Sequence, residues 1–301
     1  MSRVILIFLD GVGLGEENPE KNPFFRYNFR FITDNFENVP SLTTQHLSTD
    51  DKEIFPVDAN LDIDGLPQSG TGQVSLLCGM NASQFIGKHF GPFPYSLHQD
   101  TMKRENLFKA VKDMGLKSEF VNAYPQIFFD YLNKQKKRIG AFALSALFSD
   151  IKLKTQTDLE NGEALSNDIT NERWRTRLNL DIRLVQPEIA AERLLKISSV
   201  NDFTVFEYFL TDHIGHGRIK ENLDTIYSEL DAFLSSLLLQ QDDETDILII
   251  SDHGNFEDIS VKTHTRNPVF SMASGPNSGK LSHKINSLID VKRTILELLK
   301  N

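Results

Sequence analysis

The chain has 301 residues, 40% hydrophobic and 25% charged, with a formal net charge of −10. This is the make-up of an ordinary globular chain, with room for one large domain or for a core plus a small insert. The acidic balance argues against a general binder of nucleic acid or anionic membrane, although a bound metal would reverse the field locally and admit a phosphate substrate.

Cys78 is the single cysteine. One thiol excludes an internal disulfide framework and fits a reducing compartment, and its place in the apolar run 74–80 reads as an inert buried group. The apolar run after Met1 is too short for a signal peptide with its cleavage site, and no stretch approaches the ~18 apolar residues of a membrane span. A cytoplasmic protein is expected.

In chain order, Val4 to Leu9 reads as a buried strand ending in Asp10-Gly11-Val-Gly13-Leu-Gly15. A dinucleotide fingerprint needs glycine at the sixth position, where Glu16 stands, and Asp10 would oppose a pyrophosphate. A carboxylate at a strand end beside glycines suits a cation better. Residues 16–66, rich in Asn, Asp, Pro and Phe, read as one short helix plus long loops. Gly65-Leu-Pro-Gln-Ser69-Gly-Thr71-Gly-Gln73 then delivers a hydroxyl to the start of a helix, where free N–H groups and the dipole favour an anion. The plainer alternative is that Ser69 or Thr71 is an N-cap.

A helix is expected over Asn106 to Met114 and a strand over Ser118 to Val121. Residues 124–185 read as a small helical insertion, with pieces at Gln126–Asn133, Ala141–Phe148 and Asp158–Leu165, followed by Trp174 and an Arg/Leu-rich stretch. Lys134 to Arg138 is a short basic run, simplest as a solvated helix end. Pro187 opens a further helix to about Ile197. Phe203 to Leu210 is strand-like and ends in Thr211-Asp212-His213-Ile-Gly-His216. A helix with one apolar face follows, from about Ile219 to Leu239. Ile247 to Ile250 is a buried strand that gives way to Ser251-Asp252-His253, after which come His264, a short strand from Val269 to Ala273, and a closing helix from about Asp290 to Leu299. Strands alternating with helices, with polar residues at the strand ends, predict an α/β fold: a mostly parallel sheet sandwiched by helices, forming a single domain over 1–301.

The carboxylates and imidazoles at inferred strand ends are Asp10, Asp212, His216, Asp252, His253 and His264. Three aspartates and three histidines without cysteine suit Mn²⁺ or Zn²⁺. Six ligands exceed one catalytic zinc with an open position and divide naturally between two ions. Two ions roughly 4 Å apart can clamp the attacking and leaving oxygens of an in-line phosphoryl displacement. Ser69 or Thr71 supplies the hydroxyl, activated by coordination.

These stretches resemble the alkaline phosphatase superfamily, and most closely its branch of cofactor-independent phosphoglycerate mutase and phosphopentomutase. Val-Ile-Leu-Ile-Phe-Leu-Asp10-Gly resembles the first-strand motif. Asp212-His-Ile-Gly-His216, Ser251-Asp-His-Gly-Asn-Phe-Glu257 and His264-Thr-Arg-Asn-Pro-Val269 resemble the three C-terminal motifs in order. The tail Leu288 to Leu296 resembles the closing helix, with Arg293 where proline is usual. The resemblance covers most of 1–115 and 200–300. It implies one metal held by Asp212, His216 and His264, and another by Asp10, Asp252, His253 and the nucleophile's oxygen. The family's nucleophile stands three residues before a glycine, which selects Ser69 over Thr71. Gln73 replaces the histidine that usually follows that glycine, and His213 falls between matched positions as a supporting or structural residue.

The mutases carry a large cap that retains the intermediate. Here only about a hundred residues separate Met80 from Pro187, part of them needed for the core, so hydrolysis is expected over transfer. The expected function is a two-metal phosphatase or phosphodiesterase acting on a small phosphorylated metabolite through a phosphoserine. A mutase with a reduced cap and a metal-binding regulatory protein without turnover are the alternatives. Lys88, His89, Arg104 and Arg266 are candidate phosphate contacts, each with a plainer reading as a surface or structural residue. The substrate and the oligomeric state are not legible.

Overall fold

The computed structural model describes residues 2–134 and 138–300. The middle of the basic run 134–138 therefore lies outside the described residues. Strand β1 (Arg3–Leu9) is an interior strand of the sheet, with Val4 to Leu9 all buried. An uninterrupted apolar run is what a strand covered on both faces requires. Its alternation sends Val4, Leu6 and Phe8 to one face and Ile5, Ile7 and Leu9 to the other.

The remaining strands are β2 (Leu47–Ser48), β3 (Lys52–Val57), β4 (Ser118–Phe120), β5 (Phe203–Tyr208), β6 (Thr245–Ile250) and β7 (Val269–Ser274). Across the sheet the order is β2-β3-β7-β6-β1-β5-β4. β1 pairs in parallel with β5 and β6, and β5 with β4. β7 runs antiparallel to β6, β3 antiparallel to β7, and β2 antiparallel to β3. The expected α/β sandwich is present, and its sheet is mixed: a parallel half holds β1, and an antiparallel half extends it.

On the Val4 face pack the helices Ser69–Cys78, Leu107–Asp113, Ala141–Phe148 and Val291–Leu299, through residues such as Val74, Leu77, Phe108, Phe142 and Ile295. On the opposite face pack Pro187–Ser198 and Leu223–Gln240, through Ala190, Leu194, Leu230, Phe233 and Leu237, together with Phe24, Phe29 and Phe31. Within 124–185 the helix Ala141–Phe148 belongs to the main core, its Phe142 ring 4.6 Å from that of Phe8. Ala123, Leu159, Ala164, Trp174 and Ile182 form a separate small cluster.

Residues 16–66 differ from expectation. They hold two one-turn helices, Pro23–Arg26 and Arg30–Thr33, as well as β2 and β3. β3 escapes sequence reading because Pro56 interrupts it and because Lys52 and Glu53 break the apolar run. β2 reaches only Ile54 and Glu53, so the outer side of the strand at Pro56 is unpaired, where a proline is tolerated. The helix expected at Asp158–Leu165 is shorter, Gln156–Glu160, and the long helix begins at Leu223 rather than Ile219. No helix among the described residues is long and apolar enough to cross a membrane.

Candidate metal centre

The polar residues that follow β1, β5 and β6 meet at one edge of the sheet, the carboxyl ends of its parallel strands, where open α/β sheets gather ligands. Asp10 follows β1 directly, its N–H bonded to the Tyr208 carbonyl at 2.9 Å. Asp212 lies in the short helix Leu210–Gly215, and His216 caps that helix four residues later. The i, i+4 spacing turns both side chains to one face, with His216 Nε2 3.2 Å from Asp212 Oδ1. Asp252 and His253 follow β6 and are fully buried.

His264 comes from the connection between β6 and β7. Because those strands are antiparallel neighbours, their connection must double back, and a bridge between Gly254 and Thr265 draws its two arms together. The rings of His253 and His264 consequently stack at 3.7 Å and 14°. Glu257 clamps this connection from inside. It is 1% exposed and accepts from Gly13 N at 2.9 Å, Asn255 N at 2.7 Å, Asn267 Nδ2 at 3.1 Å and the Thr265 hydroxyl. Gly13 is required beside it, since a Cβ there would lie 2.5 Å from Glu257 Oε1.

The six donors fall into two adjoining groups. His216 Nε2 lies 3.1 Å from His264 Nε2, and His264 Nε2 3.7 Å from Asp212 Oδ1. His253 Nε2 lies 3.4 Å from Asp10 Oδ1 and 3.6 Å from Asp252 Oδ1. His253 also comes within 4.8 Å of the donor atoms of Asp212 and His264, so it stands at the border of the groups. Its Nε2 is aimed at Asp10, Asp252 and the Ser69 hydroxyl at 3.0 Å, which assigns it to the second.

This donor set fits divalent cations. Carbonyls only accept, so Nδ1 of His264 donates to Pro67 O at 2.6 Å and Nδ1 of His216 to Lys262 O at 2.8 Å. Both Nε2 lone pairs are thereby turned toward each other with no donor between them. Asp10 Oδ1 is buried and has no hydrogen-bond partner. Burial, then the charge of Asp252, push the Asp10 carboxyl well above its ordinary range, and burial raises Asp252 too. Burial pulls His253 down, but Asp252 and Asp10 outweigh it and carry the imidazole up to about 10. Burial and then the charge of His253 take His264 down to about 3. Three carboxylates, two of them on buried residues, around one imidazolium are short of positive charge, and cations would supply it.

Ser69 is the first residue of the helix Ser69–Cys78, and Gln68 before it holds the N-cap position without a side-chain bond. Thr71 N–H is used by Phe90 O and Gly72 N–H by Gln68 O, while those of Ser69 and Gly70 have no acceptor among the described residues. The Thr71 hydroxyl is spent within its loop, donating to Gln68 O at 3.3 Å and accepting from Phe90 N at 3.2 Å. Gly72 lets the helix press on the end of β6, where a Cβ would meet Asp252 O at 2.9 Å. Gln73 Nε2 donates to Asp252 Oδ2 at 3.0 Å, orienting that carboxylate. Neither Ser69 nor Thr71 is the N-cap.

His213 turns its ring to Phe209, 5.2 Å between centroids, and burial lowers it to about 4. His89 is committed to Ser83 Oγ at 3.0 Å and Ile63 O at 3.2 Å. Lys88, Arg104 and Arg266 are exposed. Cys78 is buried, and burial raises its thiol to about 12. Sequence reasoning passed over two residues beside the donors. Asn255 donates to Asp212 Oδ1 at 3.0 Å, and Arg218 approaches Asp212 Oδ2 at 3.7 Å. Both stood inside or next to quoted motifs, the only signal either carries.

Fold and donor set define an α/β metalloenzyme. The chain belongs to the metalloenzyme superfamily, whose family model matches residues 2–301. Among solved structures it is similar to alkaline phosphatase from the Antarctic bacterium TAB5, at 13% identity and a TM-score of 0.53, covering 99% of this chain and 98% of that one. The PH0037 protein from Pyrococcus horikoshii aligns at 14% identity and a TM-score of 0.57, covering 99% and 97%. A cold-active alkaline phosphatase from Shewanella sp. aligns at 12% identity and 0.51, covering 98% and 99%. At these identities the likeness concerns the fold. No match was found among curated protein sequences.

Proposed function

We propose that this chain is a two-metal phosphohydrolase that cleaves a small phosphate ester through a phosphoserine at Ser69, using Mn²⁺ or Zn²⁺, in the cytoplasm. The observation that carries the reading is the Ser69 hydroxyl, 3.0 Å from His253 Nε2, on a helix start whose first two N–H groups have no acceptor among the described residues. Asp212, His216 and His264 would hold one ion and Asp10, Asp252 and His253 the other. When bound, the ions supply Lewis-acid charge and lower the pKa of the attacking hydroxyl.

The protein's own groups do the rest. Gln73 donates to Asp252 Oδ2 and Asn255 to Asp212 Oδ1, which holds both carboxylates in place at the centre. Pro67 O and Lys262 O hold His264 and His216 in the tautomer whose Nε2 is a donor to a cation. The Ser69 and Gly70 N–H groups, without an acceptor among the described residues, would be available to an oxyanion on phosphorus. The Oγ–P bond forms as the P–O bond to the leaving group breaks, and water then releases inorganic phosphate, or a phosphomonoester in the case of a diester.

The partner in this reading is a small phosphorylated molecule, with neither nucleic acid nor membrane. A panel of phosphate esters assayed with added Mn²⁺ or Zn²⁺ tests it. Release of phosphate supports hydrolysis, and isomerised phosphate ester without release would replace it with a mutase.

A further inference from the structure

One strand away from Asp10, β5 carries a single charged residue, Glu207. Alternation puts Phe203, Val205 and Glu207 on the face that β1 gives to Val4, Leu6 and Phe8 and β6 gives to Leu248 and Ile250, the face continued by Asp10 and Asp252. Asn122 secures the backbone there, donating to Glu207 O at 2.7 Å and accepting from Glu207 N at 2.8 Å. The half-buried carboxyl itself has no ion pair or hydrogen bond among the described residues. It borders a recess of about 320 Å³ whose walls include Tyr124, Phe128, Trp174 and Phe209. Tyr124 and Phe128 lie stacked at 4.1 Å and 25°. Arg173 and Arg177 separate this recess from a larger cavity of about 730 Å³ that reaches Arg218, the neighbour of Asp212.

We propose that this aromatic recess binds the leaving group of the substrate, and that the leaving group carries a planar nitrogen heterocycle, as a nucleoside does. The proposal rests on the phosphohydrolase reading above and names its substrate class. Four aromatic side chains around a small recess favour a flat ring over a sugar or an alkyl chain. Glu207, set among them without a partner, calls for a ring edge with polar hydrogen-bonding atoms, which a plain hydrocarbon ring lacks. Arg173 and Arg177 line both cavities and offer positive charge to a phosphate attached to that ring system. Burial, with the charge of Asp252 adding to it, raises the Glu207 carboxyl to about 8. Near neutral pH it then offers one donor and one acceptor, the pattern that pairs with an amide-like base edge.

Trp174 is the only tryptophan in the chain, so its emission reports on the recess without turnover. The Mn²⁺-loaded protein is titrated with adenosine, guanosine, cytidine, uridine and ribose, with calorimetry in parallel. At least one nucleoside should quench Trp174 saturably while ribose does not. Glu207→Leu and Phe128→Leu, checked for native circular dichroism, should each weaken that nucleoside about tenfold. Calorimetric heats no larger for any nucleoside than for ribose, or affinities unchanged in both variants, would overturn the proposal. Hydrolysis of glycerol phosphate and of nucleoside monophosphates separates the two readings. Nucleoside binding without hydrolysis of any ester removes the hydrolase and keeps the recess, whereas equal kcat/KM for both ester types without nucleoside binding does the reverse.

Discussion

Nε2 of His216 and Nε2 of His264 face each other across 3.1 Å, each with its Nδ1 proton given to a backbone carbonyl. Two lone pairs at that separation repel unless a cation or a shared proton lies between them. A divalent cation held by both Nε2 atoms suits this geometry.

Protein prepared without chelator should therefore contain two divalent ions per chain, and His264→Ala should retain about one. Elemental analysis of both proteins checks this, and a single ion in the unaltered protein would contradict the division of donors. Chelation should also lower the melting temperature, since ions bound only by the folded state stabilise it by mass action.

Ser69→Ala should abolish covalent phosphate on protein quenched with substrate, yet keep the melting temperature within a few degrees, because among the described residues its hydroxyl bonds only to His253. Thr71→Val should keep the label and lose about 1 kcal/mol of stability, since Phe90 N–H would lose its side-chain acceptor. Mass spectrometry and urea unfolding read the two effects. Phosphate found on Thr71 would reverse the assignment.

Glu257 touches no substrate in this scheme, but it ties Gly13, Asn255, Thr265 and Asn267 together beneath His253 and His264. Glu257→Gln replaces a carboxylate oxygen with an N–H₂ that faces donors. We expect a loss of roughly 2–3 kcal/mol in stability and on the order of 10–100-fold in metal affinity. Metal-competition titration would find unchanged affinity if the clamp has no influence on the donors.

Glu207 gives a pH dependence of definite sign. Its folded pKa of about 8 lies above the ordinary carboxyl value of 4.5. Between those two values the folded chain keeps a proton that the unfolded chain has released, so stability falls as pH rises. The contribution is intact below pH 4.5 and lost as pH passes through 8. Urea midpoints from pH 5 to 9 should decline more steeply for the unaltered protein than for Glu207→Gln. Parallel curves would show that the carboxyl ionises freely in the recess.

How much of this was legible in the chain follows from what each residue needs. Val4 to Leu9 and Ile247 to Ile250 read as strands because continuous apolar runs have few other stable places, and the change to polar residues at their ends marks a sheet edge. The sequence puts Asp212 and His216 at the end of a strand, and the helical turn that brings them side by side belongs to the folded chain. Tertiary structure decided the rest. β3, with Pro56 and two charges, became a strand only because β7 offered an antiparallel partner, and that long-range pairing leaves no local period. The stacking of His253 on His264 depends on β7 reversing beside β6, so that Gly254 and Thr265 meet across the connection. Glu207 looked like an ordinary charge within a strand, and it gained an aromatic recess only when Tyr124, Phe128 and Trp174, distant in sequence, packed around it. Local patterns record what a residue prefers by itself, whereas the shape of a site depends on which distant segments fold against it.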